Sequence, residues 1–123
     1  MSNEKQSSID KEFVPYEQAL ALKELGFNEP CLASYFHAGK RLHITEYINH
    51  GECTVLAPTF SQAFRWFRDK HKLGAIISQF GWGIENELGQ IVHNISDSEN
   101  PLCYEEAELL CLKKLIKIQG GNI

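Results

Sequence analysis

Three segments of the chain have apolar residues at helical spacing, and each opens on the same short motif. The motif is an aromatic residue, any residue, Gln or Glu, and then Ala. It occurs as Tyr16-Glu17-Gln18-Ala19, Phe60-Ser61-Gln62-Ala63 and Tyr104-Glu105-Glu106-Ala107, and 44 residues separate each copy from the next (16 to 60, and 60 to 104). Because residues i, i+3 and i+4 share one face of a helix, the pattern predicts three helices at regular intervals.

Two of the predicted helices carry an apolar stripe. The second helix has Phe60, Ala63, Phe64, Phe67 and His71 on one face, and the third has Tyr104, Ala107, Cys111, Leu115 and Ile118. A stripe at this spacing is the face that a helix turns toward a core. We therefore expect six of these residues to be buried: Phe60, Phe64, Phe67, Cys111, Leu115 and Ile118.

The first predicted helix, over residues 15–25, is less regular. Its apolar residues spread around the helix axis, and Lys23 stands where the other two helices have Phe67 and Cys111. Pro15 suits a helix N-terminus, and Gly26 can adopt the left-handed conformation that ends a helix. The motif therefore repeats imperfectly in this copy.

The two intervals between the helices are rich in strand-forming residues. In the first interval, residues 31–37 and 42–48 predict a hairpin around residues 38–41, and residues 53–56 could add a short strand. In the second, residues 75–85 predict a strand, residues 86–89 a turn, and residues 90–95 a returning strand. Gly81 and Gly83 flank Trp82, which leaves open that the turn lies there instead.

Together these elements predict an α+β fold in the order αββαββα, with an antiparallel sheet of four or five strands and the helices on one face. A length of 123 residues fits one domain, which we place at residues 13–119. Residues 1–12 are rich in Ser and charge, and we expect them to be a disordered N-terminal segment. The regular spacing has two possible origins, either a duplicated unit or hairpins of equal length between ordinary helix starts.

Cysteine usage and hydropathy indicate the compartment. No apolar run approaches the ~20 residues that cross a bilayer, and the N-terminus has no apolar core of the signal-peptide type. The four cysteines, Cys31, Cys53, Cys103 and Cys111, are scattered along the chain, as in proteins of a reducing compartment. We expect free thiols and a cytoplasmic protein.

The sequence contains no motif typical of an enzyme or a metal site. No Gly-x-Ser-x-Gly, phosphate-binding loop or Gly-x-Gly-x-x-Gly occurs in it. The nearest approach to a metal-ligand spacing is His50-x-x-Cys53, and His37 and His43 could face each other near the first hairpin turn. We therefore predict no catalytic residue, no cofactor and no metal, and we interpret Cys111 as a small buried apolar residue.

Charge is unevenly distributed along a chain whose net charge is −4. Residues 65–72 contain the bases Arg65, Arg68, Lys70 and Lys72 against one acid, Asp69. Residues 85–108 contain acids and no Lys or Arg. Such segments are solvated faces in most proteins and charged binding surfaces in some.

Three blocks of sequence stand out as a set: residues 13–27 (FVPYEQALALKELGF), 57–68 (APTFSQAFRWFR) and 104–116 (YEEAELLCLKKLI). Together they resemble a family of small proteins encoded by bacteriophages and prophages, notably those of Bacteroidetes hosts. The resemblance spans most of the chain after the first dozen residues. It implies a phage accessory protein or a phage-derived gene, and it carries no established activity, cofactor or catalytic residue.

Elimination and the implied origin favour a small, non-enzymatic protein-interaction module whose partner is a host or phage protein. Aromatic and Arg side chains dominate interface hot spots, so we predict Arg65, Trp66, Arg68 and Trp82 as binding residues. The sequence leaves open the oligomeric state of the protein. It also leaves open whether Trp66 reaches the surface or packs under the neighbouring hairpin.

The alternative is a nucleic-acid-binding protein that uses its basic second helix. In that case Arg65, Arg68, Lys70 and Lys72 would contact phosphates, and Trp66 would stack on a base. The acidic net charge and the acids from Glu85 onward argue against this alternative.

Overall fold

The computed structural model of the protein describes residues 10–36, 41–47, 54–78, 81–93 and 103–120. The fold class is α+β, as predicted. Within the described residues there are three α-helices and six strands, and all the strand pairs are antiparallel. The chain divides into two compact units, Met1–Phe60 (unit 1) and Ser61–Ile123 (unit 2). The predicted domain of residues 13–119 thus contains two units, each with its own sheet.

Unit 1 holds one α-helix and a three-stranded sheet. Helix α1 spans Tyr16–Glu24, and strands β1, β2 and β3 span Cys31–Phe36, Leu42–Tyr47 and Thr54–Leu56. The sheet order is β2-β1-β3, so the first strand of the unit is the central one. One turn of 3-10 helix, Asp10–Glu12, precedes α1 and lies within the segment expected to be disordered.

Backbone hydrogen bonds end α1 in a left-handed cap. Gly26 has a φ of +106°, its N–H donates to the Lys23 carbonyl at 3.0 Å, and the Phe27 N–H donates to the Leu22 carbonyl at 2.9 Å. These two bonds form a Schellman motif, in which glycine occupies the left-handed position at no steric cost. The predicted role of Gly26 is therefore confirmed, and the motif places Phe27 against the end of the helix.

Unit 2 holds a second three-stranded sheet, in the order β4-β5-β6. Helix α2 spans Phe60–His71 and begins on the last residue of unit 1; strands β4, β5 and β6 span Leu73–Ser78, Gly81–Asn86 and Ile91–His93, and helix α3 spans Tyr104–Gly120. Helix α3 packs on β4 and β5, where the Cys111 thiol donates to the Gly83 carbonyl at 3.6 Å. A small side chain on the helix and glycine on the strand allow this close approach.

The repeated motif marks the helix starts. Helices α1, α2 and α3 begin at Tyr16, Phe60 and Tyr104, the three aromatic residues of the motif. The alanine three residues later is buried in every copy. The strands do not follow the same repeat, because the first strand is central in unit 1 and the second is central in unit 2. This difference favours equal intervals between helix starts over a strict duplication.

The predicted order αββαββα and the sheet of four or five strands with all helices on one face are not confirmed. The described residues follow the order αβββαβββα and form two separate sheets. The predicted strand at residues 75–85 is a tight hairpin, since Ser78 pairs with Gly81 and only residues 79 and 80 lie between them. The alternative turn around Trp82 is wrong, because Gly81, Trp82 and Gly83 all pair with β4 and the chain reverses just before them. The predicted turn at residues 86–89 is confirmed, and a third strand results.

Four of the six predicted core residues are buried, namely Phe60, Phe67, Cys111 and Leu115, whereas Phe64 and Ile118 are half-buried. The buried face of α2 is rotated relative to the predicted stripe. It includes Trp66, which lies three residues after Ala63 and therefore on the same side of the helix. The helical spacing in the sequence assigned Phe64 to the buried face and therefore did not include Trp66 among the buried residues.

The rotation of α2 predicts unequal costs for truncating its two phenylalanines. Phe67 is fully buried, so Phe67→Ala should lower the free energy of unfolding by about 3–5 kcal/mol. Phe64→Ala should cost clearly less, because its ring is only half-buried. Urea denaturation of both variants measures the difference, and equal losses would contradict the assigned helix face.

Candidate functional site

The two tryptophans predicted to contact a partner are inside the protein. Trp66 is only 6% exposed, and its ring meets the rings of Phe67 and His71 edge-on at centroid distances of 5.1 and 4.7 Å. Trp82 is also 6% exposed, because the imidazole of His93 stacks on its indole at 4.2 Å with an interplanar angle of 11°. Neither indole can therefore be a large contact surface in this conformation.

The predicted basic residues of α2 do reach the surface. Arg65, Arg68, Lys70 and Lys72 are all exposed. The Nε of Arg68 lies 3.7 Å from Oδ1 of Asp69, an exposed ion pair of the kind that contributes little to stability. Of the four predicted binding residues, the two arginines are therefore exposed and the two tryptophans are buried.

A groove of about 360 Å³ lies between the end of α2 and the β4–β5 hairpin. It is lined by Arg68, Lys72, Gly74, Glu85, Asn86 and Glu87. Lys72 follows α2 directly with a φ of +60°, a left-handed conformation that few residues other than glycine adopt, and the chain then turns into β4. Two cationic side chains and two carboxylates thus share one groove.

The turn after β5 is held by the side chain of Asn86. Its Oδ1 accepts the N–H groups of Leu88 and Gln90, each at 2.9 Å, and its Nδ2 donates to Oε1 of Gln90 at 2.9 Å. Two backbone bonds close the same turn, from Asn86 N to the Gln90 carbonyl and from Gly89 N to the Asn86 carbonyl. Asn in this role and Gly89 at a φ of +79° are the residues that such a turn favours.

This fixed turn carries a highly exposed apolar side chain. Leu88 is 76% exposed, and the edge strand that follows adds Ile91 at 54% and Val92 at 47%. We call these three residues the apolar edge. Ile91 pairs with Glu85 in the strand register, so its side chain lies beside a wall of the charged groove. The apolar edge and the groove therefore adjoin on unit 2.

Sequence reasoning predicted the turn at residues 86–89 but did not select Leu88, Ile91 or Val92 as contact residues. One signal for Leu88 was available. A large apolar residue between Glu87 and Gly89 cannot be buried by a turn that projects into solvent. The exposure of Ile91 and Val92 follows from the three-stranded topology, which places β6 at the sheet edge.

The buried cysteine of α3 is poorly suited to nucleophilic chemistry. Burial raises the pKa of the Cys111 thiol to about 12, against a smaller opposing effect of a backbone hydrogen bond with Ile76. The thiolate is the reactive form, so this group is almost entirely protonated near neutral pH. None of the three described cysteines, Cys31, Cys103 and Cys111, forms a disulfide.

The other candidate chemistry was metal binding. His37, His50 and Cys53 lie outside the described residues. In the part of the chain that the structure describes, His, Cys, Asp and Glu side chains form no group of three or more that could hold a metal ion. His43, the remaining candidate, packs its ring against Phe36 at a centroid distance of 4.4 Å. Across the same residues, no helix combines the length and apolar character needed to span a bilayer.

Comparison with protein-family models, with curated proteins and with solved structures finds no match to the chain. The resemblance to phage and prophage proteins therefore stays a prediction. Any assignment of function has to come from the surface and clefts of the described residues.

The environment of His71 predicts a pH-dependent stability. Its Nε2 is buried without a hydrogen-bond partner among the described residues, and desolvation lowers its pKa. Below the usual pKa of about 6.5 the unfolded chain binds a proton that the folded chain resists, so the free energy of unfolding falls as pH decreases through this range. His71→Gln should therefore lose less stability than the original protein between about pH 7 and pH 5.

Urea denaturation of the two proteins at matched pH values measures this difference. Other titrating groups are common to both proteins, so subtraction isolates the contribution of His71. A difference that is constant with pH, or that grows in the opposite direction, would contradict a buried neutral imidazole.

Proposed function

We propose that the protein is a small, non-enzymatic protein-interaction module that binds its partner through the apolar edge of unit 2. The observation that carries this proposal is the Asn86 turn, which holds Leu88 in a defined, highly exposed position. A binding group fixed before association loses little conformational entropy on binding. An exposed apolar residue on a rigid turn is therefore well suited to insert into a pocket of another protein.

The partner surface that fits this site is an extended segment with apolar and basic side chains. Among the described strands β6 lies at the edge of its sheet, and such strands can bind another strand through main-chain hydrogen bonds. Glu85 and Glu87 lie beside it, and no Lys or Arg occurs from residue 85 to residue 108. Basic side chains of the partner would complement these acids, and its apolar side chains would cover Leu88, Ile91 and Val92.

Two observations support a protein partner over nucleic acid. Trp66, the only aromatic residue that the nucleic-acid hypothesis assigned to base stacking, is buried beside Phe67 and His71. Arg68 and Lys72 share their groove with two carboxylates, which would repel a phosphate backbone that followed these bases. Arg68 is better matched to an acidic side chain of a polypeptide, as a contact at the rim of the same interface.

The proposal extends to origin and compartment. The three sequence blocks that resemble phage and prophage proteins favour an accessory protein whose partner is a host or phage protein. The scattered cysteines favour the cytoplasm of the host cell as its location. Both statements rest on the sequence and share the test given below, because a cytoplasmic bacterial lysate is the source of the candidate partners.

Affinity capture from a bacterial lysate, with and without nuclease treatment, tests the proposed surface. We expect the original protein to retain a protein partner that Leu88→Ser and Asn86→Ala both lose. Leu88→Ser removes the exposed apolar group, and Asn86→Ala removes the side-chain bonds that position it. Leu32→Ser is the matched control, since Leu32 is 61% exposed on a strand of unit 1. This variant should bind the partner as the original protein does.

Three outcomes would contradict the proposal. They are capture that Leu32→Ser abolishes and Leu88→Ser leaves intact, the absence of any specific partner, and capture that nuclease removes. If nuclease removes the capture, a gel-shift titration with DNA and RNA tests direct binding of nucleic acid. Phosphate-driven binding through six contacts weakens about a thousandfold between about 50 and 200 mM salt, and its loss on Arg65→Ala and Arg68→Ala would establish the nucleic-acid alternative.

A further inference from the structure

Unit 1 contains a cleft that the proposed protein contact does not use. It has a volume of about 270 Å³ and lies between α1, the cap that ends α1, and strand β3. Ala19, Phe27 and Leu56 line it with apolar side chains, and all three are buried. Lys23, Asn28 and Thr54 add polar groups. Among the described residues that line the cleft, Lys23 alone is charged.

Lys23 occupies a position of the repeated motif that is apolar in the other two helices. Lys23, Phe67 and Cys111 each lie seven residues after the aromatic residue that opens their helix. Phe67 and Cys111 are fully buried, whereas Lys23 is exposed. Helix α1 thus carries a cation beside the cleft, at a motif position that is buried and apolar in α2 and α3.

Lys23 and Cys111 each donate a side-chain hydrogen bond to a backbone carbonyl of a strand, but Cys111 does so inside the core and Lys23 at the surface. The Cys111 thiol donates to the Gly83 carbonyl at 3.6 Å inside the core, and the Lys23 ammonium donates to the Thr54 carbonyl at 3.4 Å. The Lys23 contact is long for an N–H···O bond, and an ammonium group has three N–H donors. The cation is thus held at the cleft by one weak bond and keeps donors for a ligand.

The cleft has the chemistry of a site for an amphipathic anion. Its apolar walls would cover a hydrocarbon body, the ammonium of Lys23 would bind an anionic group, and the Asn28 amide could donate a further hydrogen bond. A cleft volume of about 270 Å³ limits the ligand to a small molecule.

From this geometry we infer that unit 1 binds a small carboxylate with an aromatic or short aliphatic body, whose carboxylate group is held by Lys23. Binding adds a charge-assisted bond from the Lys23 ammonium to the ligand carboxylate. The inference does not depend on the proposed protein contact, since the two sites lie in different units.

Benzoate, with about nine non-hydrogen atoms, is a suitable probe, and benzamide is its neutral analogue of the same shape. We expect benzoate to shift the backbone amide NMR signals of Asn28 and Leu56 with a dissociation constant of about 1 mM or below. Benzamide should bind at least about tenfold more weakly, because it cannot form an ion pair with Lys23. This comparison uses the unmodified protein and needs no variant.

Variants then test whether Lys23 is the cation that binds the carboxylate of benzoate. Lys23→Met keeps a long apolar chain without the charge, so it should reduce benzoate affinity about tenfold and leave benzamide nearly unchanged. Lys23→Arg should retain most of the affinity for benzoate. Lys113→Met is the control, because Lys113 is an exposed lysine of α3 in unit 2.

The inference is overturned by any of three results. The first is the absence of saturable shifts at Asn28 and Leu56 up to about 10 mM benzoate. The second is equal affinity for benzoate and benzamide, and the third is loss of benzoate affinity in Lys113→Met to the same extent as in Lys23→Met.

Discussion

Packing of α3 on the central strand of its sheet is the interaction on which the rest of unit 2 depends. The Cys111 thiol and the Gly83 carbonyl meet at 3.6 Å in a fully buried contact. Neither residue has a bulky side chain, so the helix lies close to β5 and fixes its position. The Asn86 turn follows at the end of β5, and the exposure of Leu88 depends on that turn. The proposed contact surface thus depends on the Asn86 turn, and the turn depends on the packing of β5 in the core.

The spacing of the repeated motif predicted the helices well, because the signal is local. An aromatic residue followed by Ala three positions later marks the start of a helix packed on a core, and Tyr16, Phe60 and Tyr104 are the first residues of the three helices. The cap at Gly26 was predictable for the same reason, since only the local backbone decides it. The burial of Cys111 and Leu115 followed from the apolar stripe of α3.

Features that the pattern of residue types does not determine were not predicted. A run of strand-forming residues does not show where a chain reverses, so the sequence predicts one strand over residues 75–85 although Ser78 pairs with Gly81. Helical spacing alone could not decide whether Phe64 or Trp66 faces inward, because both lie within a turn of Ala63. The prediction of Trp82 as a contact residue rests on the frequency of aromatic side chains in interface hot spots, and the sequence gives no sign that His93 covers its ring.

The same motif position has different consequences in the two units. In unit 2, Phe67 and Cys111 occupy it and are buried, while in unit 1 Lys23 occupies it beside a cleft of about 270 Å³. Unit 2 has an exposed surface with apolar side chains, and unit 1 has a small cleft with a cation. We propose that the first binds through apolar contact and the second through ion pairing.

The central claim is that the side chain of Asn86 fixes the turn that presents Leu88, and amide hydrogen exchange tests it without a partner. In the original protein, the amides of Leu88 and Gln90 should exchange about fivefold more slowly than in Asn86→Ala, as expected for a hydrogen bond worth about 1 kcal/mol. The amide of Phe27, bonded in the cap of α1, should be unaffected. Equal and rapid exchange of Leu88 and Gln90 in both proteins would contradict the account.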